Sequence, residues 1–290
     1  MQTKKTLNVF LAVDKNYLPH FTVTLTSMLE NNKDLDIRPF VVHDLEDTHP
    51  LDEIATFFQQ TYQTTLNFIT VDNSIFDNFQ ITMYISKASY FRLLFADIIP
   101  PDVKCGLYID CDTVVTGSLN ELTTLSFKDN IKGTEYSLLG VSDANEAVET
   151  IRMKKINIHT NMYFNAGVLF INLEKWRNDK VSAKLITVAK EYKEHLQWWD
   201  QDVLNIFFCN QCGRMNSTFN TFPGQKLSTL PAVIHFTGSS KPWHYFDEHK
   251  YKAMYWKYLK LTPFKNEKFE KITVRKVYRK YKEKIKSALK

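Results

Sequence analysis

The chain has 290 residues, 44% of them hydrophobic and 24% charged. That balance belongs to a globular chain with a core and excludes a disordered one, while eight glycines and nine prolines exclude a collagen-like or linker-dominated chain. The formal charge of +5 is unevenly placed: residues 265–290 carry 11 Lys/Arg against 3 Glu, a net of +8, and the rest of the chain has a net of −3.

No run of 18 apolar residues occurs, so no membrane-spanning helix is expected. The apolar run 7–13 is too short, and too soon interrupted by Asp14, for a secretory signal, so the chain is expected in the cytoplasm. That run reads as a buried strand. A turn at 14–19 and a helix at 21–29 follow. Residues 37–42 read as a strand, 51–62 as a helix, 66–71 as a strand, and 86–96 as a helix stopped by Ile98-Ile-Pro-Pro101. Further strands are expected at 106–110, 138–142, 167–172 and 232–236, with a helix over 173–192. The alternation predicts an α/β fold with a largely parallel sheet.

At the C-terminal end, Val274, Val277, Tyr278, Tyr281, Ile285 and Leu289 fall on one face of a helix, and Arg275, Lys276, Arg279, Lys280, Lys282, Lys286 and Lys290 occupy the others. A basic amphipathic helix suits an anionic membrane surface, although a solvated helix docked on the body has the same periodicity. The expected organisation is a catalytic domain over 1–263 and a basic membrane-surface tail over 264–290. No nucleic-acid-binding module appears, so nucleic acid is not an expected partner. Cys105, Cys111, Cys209 and Cys212 are expected to be unpaired. Cys209-Asn-Gln-Cys212 lacks the second pair that a zinc site needs.

The sharpest local feature is Leu107-Tyr-Ile-Asp110-Cys-Asp112-Thr-Val-Val115. On a strand, alternate residues share a face, so Asp110 and Asp112 project together and Cys111 away from them. Two carboxylates at a strand's C-terminal end sit where open α/β sheets bind ligands, and a divalent cation would reconcile their charges. Two enzyme classes fit: a metal-dependent glycosyltransferase using a nucleotide-diphosphate sugar, and a haloacid dehalogenase-type phosphatase with Asp110 as nucleophile. The phosphatase would need an acidic Gly-Asp or Asp-Asp motif downstream, and neither dipeptide follows Asp112.

Four more segments complete a pattern: Ala12-Val-Asp14-Lys-Asn16-Tyr17; Tyr163-Phe-Asn165-Ala166-Gly167-Val-Leu-Phe-Ile-Asn172-Leu-Glu-Lys-Trp176; Asp200-Gln201-Asp202-Val-Leu-Asn205; and His235-Phe-Thr-Gly238-Ser-Ser-Lys241-Pro-Trp243. With the Asp110/Asp112 segment, their order and spacing resemble the retaining glycosyltransferases of family 8, which include bacterial lipopolysaccharide and lipooligosaccharide galactosyl- and glucosyltransferases. The resemblance implies a GT-A type nucleotide-diphospho-sugar transferase fold. It implies that Ala12, Asp14, Asn16 and Tyr17 hold the nucleoside and that Asp110, Asp112 and His235 ligate Mn²⁺ or Mg²⁺, with Cys111 between the acids. Gly238 and Lys241 are then expected at the diphosphate, Asp143, Asn165, Ala166 and Gly167 near the donor sugar or its ribose, and Lys87 and Arg92 on a helix approaching the nucleotide. Asp200 would bind donor hydroxyls and Gln201 would lie under the anomeric carbon, the two being the implied catalytic pair.

The implied reaction moves galactose or glucose from a UDP-hexose to a glycan acceptor, expected to be lipid-linked, on the cytoplasmic face of a membrane. Same-face transfer and double displacement both remain open. The stretch 143–163, which includes Arg152, resembles little in the family and is a candidate lid. The competing expectation is a catalytically inactive nucleotide- or glycan-binding relative.

Overall fold

The expected alternation becomes a seven-stranded sheet covered on both faces. The computed structural model describes residues 4–77, 79, 87–129, 133–222, 224–225 and 230–269. The first half contains β1 (Lys5–Val13), α1 (Leu18–Asn31), β2 (Leu35–His43), α2 (His49–Tyr62), β3 (Asn67–Thr70), α3 (Phe95–Ile98), β4 (Cys105–Ile109) and β5 (Thr113–Val115). A small hairpin, β6 (Lys128–Asp129) and β7 (Thr134–Glu135), precedes β8 (Leu138–Ser142), α4 (Glu146–Lys155) and β9 (Phe164–Asn172). Then come α5 (Leu173–Asn178), α6 (Val181–Glu191), α7 (Trp199–Phe207), β10 (Cys212–Arg214), β11 (Val233–His235) and α8 (Lys252–Leu259).

The large sheet has the order β10-β8-β9-β4-β1-β2-β3. Strand pairs β1/β2, β2/β3, β1/β4 and β8/β10 are parallel, and only β9 runs antiparallel to its neighbours β4 and β8. The sheet is therefore mostly parallel, as expected. β5 and β11 form a separate antiparallel ribbon.

Alternation along β1 builds both faces of the core. Leu7, Val9, Leu11 and Val13 pack in the layer of Phe21 and Leu25 from α1 and Phe58 from α2. Phe10 joins the opposite layer with Phe95, Tyr108, Trp176 and Leu185. Burial on both faces explains why the strand reads as a continuous apolar run.

Several element boundaries differ from expectation. The stretch read as a turn up to residue 19 already contains the start of α1, because Pro19 falls in the first helical turn, where a missing N–H costs nothing. The helix expected over 173–192 is two helices. Asn178 and Asp179 are weak helix formers, and Lys180 takes a left-handed φ of 52° between the two segments. Residues 87–94 wind as a 3-10 helix before α3 begins at Phe95. Helices α4 and α7 were not expected. Phe264 and Phe269 pack around α8, and residues 270–290, the span of the expected amphipathic helix, lie outside the described residues. No helix among the described residues is long and apolar enough to cross a membrane.

Candidate active site

Strands β1, β4 and β8 end side by side in Asp14, Asp110 and Asp143, and the first residues of β9 lie among these ends. Ligands bind at such a carboxyl edge in open α/β sheets. A cavity of about 560 Å³ opens there.

Strand β4 stops at Ile109, so Asp110-Cys111-Asp112 forms the turn into β5. Turn geometry, not strand alternation, brings the two carboxylates together, which corrects the reading from the sequence. The Asp110 backbone N–H donates to Gly167 O at 2.8 Å, and Thr113 Oγ1 donates to Asp110 O at 2.8 Å. Cys111 directs its thiol to Ala12 O, and burial pushes that thiol's pKa up. His235, the last residue of β11, arrives from the other side. Its Nε2 lies 3.2 Å from Asp112 Oδ1 and 3.8 Å from Asp110 Oδ2. One ligand atom from each of the three residues fits within 4.8 Å of the others.

Arg92 organises the floor. It is buried, donates from Nη2 to Asp110 Oδ1 at 2.8 Å and from Nη1 to Ala166 O at 2.6 Å, and lies 3.2 Å from Asp200 Oδ2. Its guanidinium sits over the Tyr108 ring, whose hydroxyl also donates to Asp110 Oδ1. Asp110 therefore spends one oxygen on the protein and turns the other towards His235. Burial pushes the Asp200 carboxyl up to about 6, with the Arg92 charge opposing the shift. Burial also raises the Asp112 carboxyl, but the Lys241 charge outweighs it and holds the group well below the usual range. Lys241 Nζ contacts Asp112 Oδ2 at 2.5 Å and Phe236 O at 2.8 Å.

Most of the residues implied by the resemblance line this one cavity: Ala12, Asp14, Tyr17, Cys111, Asp143, Asn165, Ala166, Gly167, Asp200, Gln201, Gly238 and Lys241, besides the three candidate ligands. Asp14 Oδ1 caps the turn of Lys15–Tyr17 by accepting from Asn16 N and Tyr17 N. Gly238 has a φ of +83°, which a side chain would strain. Gln201 Oε1 accepts from Asn165 Nδ2 and Ala166 N, and its Nε2 donates to Asp143 Oδ2.

Two expected residues do not join the lining. Asn16 is exposed on its turn, with its backbone rather than its side chain held by Asp14. Lys87 is tied to Asp77 at 2.5 Å and Asn73 at 3.3 Å, because the 3-10 winding aims it at that loop. Sequence reasoning missed Tyr108, Trp198, Trp199 and Phe222, which also line the cavity. Tyr108 carried a signal, since it sits two residues before Asp110. The tryptophans gave none, and Trp199 takes an unfavourable φ of 42° at the start of α7.

The donor set fits a hard divalent cation. Among the described lining residues are five carboxylates, on Asp14, Asp110, Asp112, Asp143 and Asp200, against the two fixed cations Arg92 and Lys241. A diphosphate would be repelled from that surplus of negative charge without a further cation. Asp112 Oδ1 is buried and accepts no hydrogen bond. Gly167 leaves the space open: a Cβ there would overlap the His235 ring and come within 2.7 Å of Asp110 Oδ2. Two carboxylates plus one imidazole suit Mn²⁺ somewhat better than Mg²⁺.

Carboxylates that a cation reconciles, at the ligand-binding edge of a mostly parallel sheet, define a nucleotide-sugar transferase of the GT-A type. The family model described as glycosyl transferase family 8 matches residues 8–247, and the chain belongs to that family. Membership sets aside the phosphatase alternative. The chain is similar to a lipopolysaccharide 1,2-glucosyltransferase of Escherichia coli, at 26% identity over 93% of this chain and 83% of the relative. It is also similar to the lipopolysaccharide 1,3-galactosyltransferase of Salmonella typhimurium, at 28% identity over 82% and 73%. Among solved structures it is similar to the galactosyltransferase LgtC in complex with donor and acceptor sugar analogues. That match has a TM-score of 0.79 and 26% identity over 89% of this chain and 96% of that one.

Proposed function

We propose that this chain is a retaining hexosyltransferase that moves galactose or glucose from a UDP-hexose to a glycan acceptor borne on a membrane lipid. The observation that carries the reading is the convergence of Asp110, Asp112 and His235 at one place in a cavity whose walls include most of the residues expected at a sugar nucleotide. Relatives named for lipopolysaccharide glycosyl transfer support the acceptor class. The basic tail, with its net of +8, supports a peripheral location on the cytoplasmic face of the membrane.

Asp110, Asp112 and His235 would hold the cation, Mn²⁺ in this reading, and when bound it supplies electrostatic stabilisation of charge on the departing diphosphate. The protein's own residues do the rest. Asp14 and Tyr17 receive the nucleoside, and Gly238 lets the main chain approach the diphosphate closely. Lys241 exchanges part of its contact with Asp112 for the phosphate oxygens and neutralises them as the bond to the sugar breaks. Asp200 and Asp143 orient sugar hydroxyls. Gln201 is held by three amide hydrogen bonds and is a weak nucleophile, so it faces the developing positive charge as a fixed dipole. That arrangement favours same-face transfer over double displacement, with the departing phosphate oxygen accepting the acceptor's proton.

The test is UDP release from UDP-galactose, UDP-glucose and UDP-N-acetylglucosamine in the presence of Mn²⁺. Turnover of one of the first two, reduced at least about 100-fold in Asp110→Asn and Asp112→Asn, is expected. Tight UDP binding without turnover of any donor would show a binding protein instead.

A further inference from the structure

An unbroken line of side-chain amides runs from the sugar side of the cavity to the back of His235. Asn165 Nδ2 donates to Asp143 Oδ2 and to Gln201 Oε1, both at 3.1 Å. Asn165 Oδ1 accepts from the Gly167 backbone N–H at 3.0 Å and from Asn220 Nδ2 at 3.0 Å. Asn220 Oδ1 then meets His235 Nδ1 at 2.9 Å. Asn220, the middle of the line, is fully buried, so water cannot supply it alternative partners.

The polarity of this line follows from its fixed end. A backbone N–H can only donate, so the Asn165 atom facing Gly167 is its oxygen. Asn220 must offer that same oxygen its NH₂ group. Its own oxygen is therefore turned to His235, and the ring nitrogen it meets must carry the proton. A neutral imidazole with its proton on Nδ1 has a bare Nε2. That nitrogen is the one 3.2 Å from Asp112 Oδ1, which itself accepts no hydrogen bond. Two lone pairs facing each other repel unless a proton or a metal cation lies between them, so a bound cation takes the place of the Nε2 proton.

We propose that Asn220 is a positioning residue for the cation site, and that the amide line Gly167–Asn165–Asn220 sets the His235 tautomer that can ligate. Asn165 and Gln201 are joined to the same line, so the residues expected under the donor sugar and the cation site are aligned by one hydrogen-bonded unit. The proposal rests on the reading of Asp110, Asp112 and His235 as cation ligands. Partners of this kind, behind a ligating histidine, typically hold ten- to hundredfold in metal affinity, by order of magnitude.

Two measurements on the full chain separate this proposal from the reading beneath it. The first is ¹⁵N NMR of the ring nitrogens of His235 in the cation-free wild type, assigned with a His235→Gln control. A protonated Nδ1 is expected, and a bare Nδ1 with the ring proton on Nε2 alone would overturn the proposal whatever any variant does. The second is Mn²⁺ titration of wild type, Asn220→Leu and Asn220→Asp, read by the EPR signal of free Mn²⁺, with thermal melting to confirm folding. Asn220→Leu is expected to lose about ten- to hundredfold in Mn²⁺ affinity. Asn220→Asp keeps an acceptor for Nδ1–H but loses the donor to Asn165 Oδ1, so its affinity should fall between those of wild type and Asn220→Leu. Equal affinity in folded Asn220→Leu and wild type would overturn the positioning role with the cation site intact. A wild type that binds no Mn²⁺ would remove the cation site itself, and the positioning role with it, even if NMR found the tautomer as described.

Discussion

Gly167 shows how little freedom the site leaves at the scale of single residues. Its missing side chain is the space beside His235 and Asp110. Gly167→Ala is expected to weaken Mn²⁺ binding at least tenfold and to cost about 1–3 kcal/mol of stability from overpacking, read by titration and urea denaturation. Asp200 makes a different prediction. Its carboxyl is raised to about 6, above the ordinary value of 3.8, so the folded chain holds a proton there that the unfolded chain releases. Stability from this group is complete below about pH 4 and falls as pH rises through about 6. Asn imitates the protonated carboxyl, so Asp200→Asn should gain stability relative to wild type over that window, by roughly 2 kcal/mol at pH 7, seen in melting temperature against pH. Asp110 and Asp112 were legible from their spacing alone, and His235 and the other charged residues of the cleft only through their places in the family 8 pattern. Asn220 was not legible, because an asparagine in a loop is ordinary until its two neighbours are known. Lys87 stands outside the cavity lining because its neighbours Asn73 and Asp77 hold it.

At the scale of elements, β1 to β4, β8, β9 and β11 were legible, whereas the short β5, β6, β7 and β10 and two helices beside the cleft were not. β1, β2 and β4 announce themselves as apolar runs because both of their faces are buried. α4 does not, because polar bonding ties it to α7, and α7 does not, because its apolar face is only nine residues long and is led by Asp200 and Asp202. Arg152 on α4 pairs with Glu149 and with Asp202 of α7, Tyr163 donates to Asp202 at 2.5 Å, and the Trp198 indole donates to Glu149 at 2.9 Å. The stretch considered as a lid is thus anchored in the structure by charge. Removing Arg152 leaves Asp202, whose side chain is fully buried, without its cation. Arg152→Ala should cost roughly 2–4 kcal/mol in urea denaturation, somewhat under the range for fully enclosed pairs because Arg152 is partly exposed. The break between α5 and α6 offers the opposite change. Lys180 holds a left-handed φ of 52°, and Lys180→Gly should stabilise the chain by about 1 kcal/mol.

For the whole molecule, the division between an acidic body and a basic end becomes a statement about location. Side-chain packing reaches Phe269, which lies 4.9 Å from the His20 ring, so a chain ending there keeps its described contacts. Deleting 270–290 should abolish binding to phosphatidylglycerol vesicles while leaving UDP release in solution unchanged, and salt should weaken the wild-type interaction. Vesicle binding that survives the deletion would place the attachment elsewhere. A mostly parallel sheet and a ligand-binding cleft at its carboxyl edge were both implied by the alternation of elements and the ordered motifs. Their registration was not, because it depends on one antiparallel strand, β9, that no local pattern distinguishes. The central claim is that a cation held by Asp110, Asp112 and His235 grips the diphosphate of a sugar donor. The most direct test is anomalous diffraction from crystals grown with Mn²⁺ and UDP. A manganese peak within coordination distance of all three side chains and of the diphosphate is the predicted result. UDP seated in the cleft with no manganese peak at these residues, or manganese bound away from them, would contradict it.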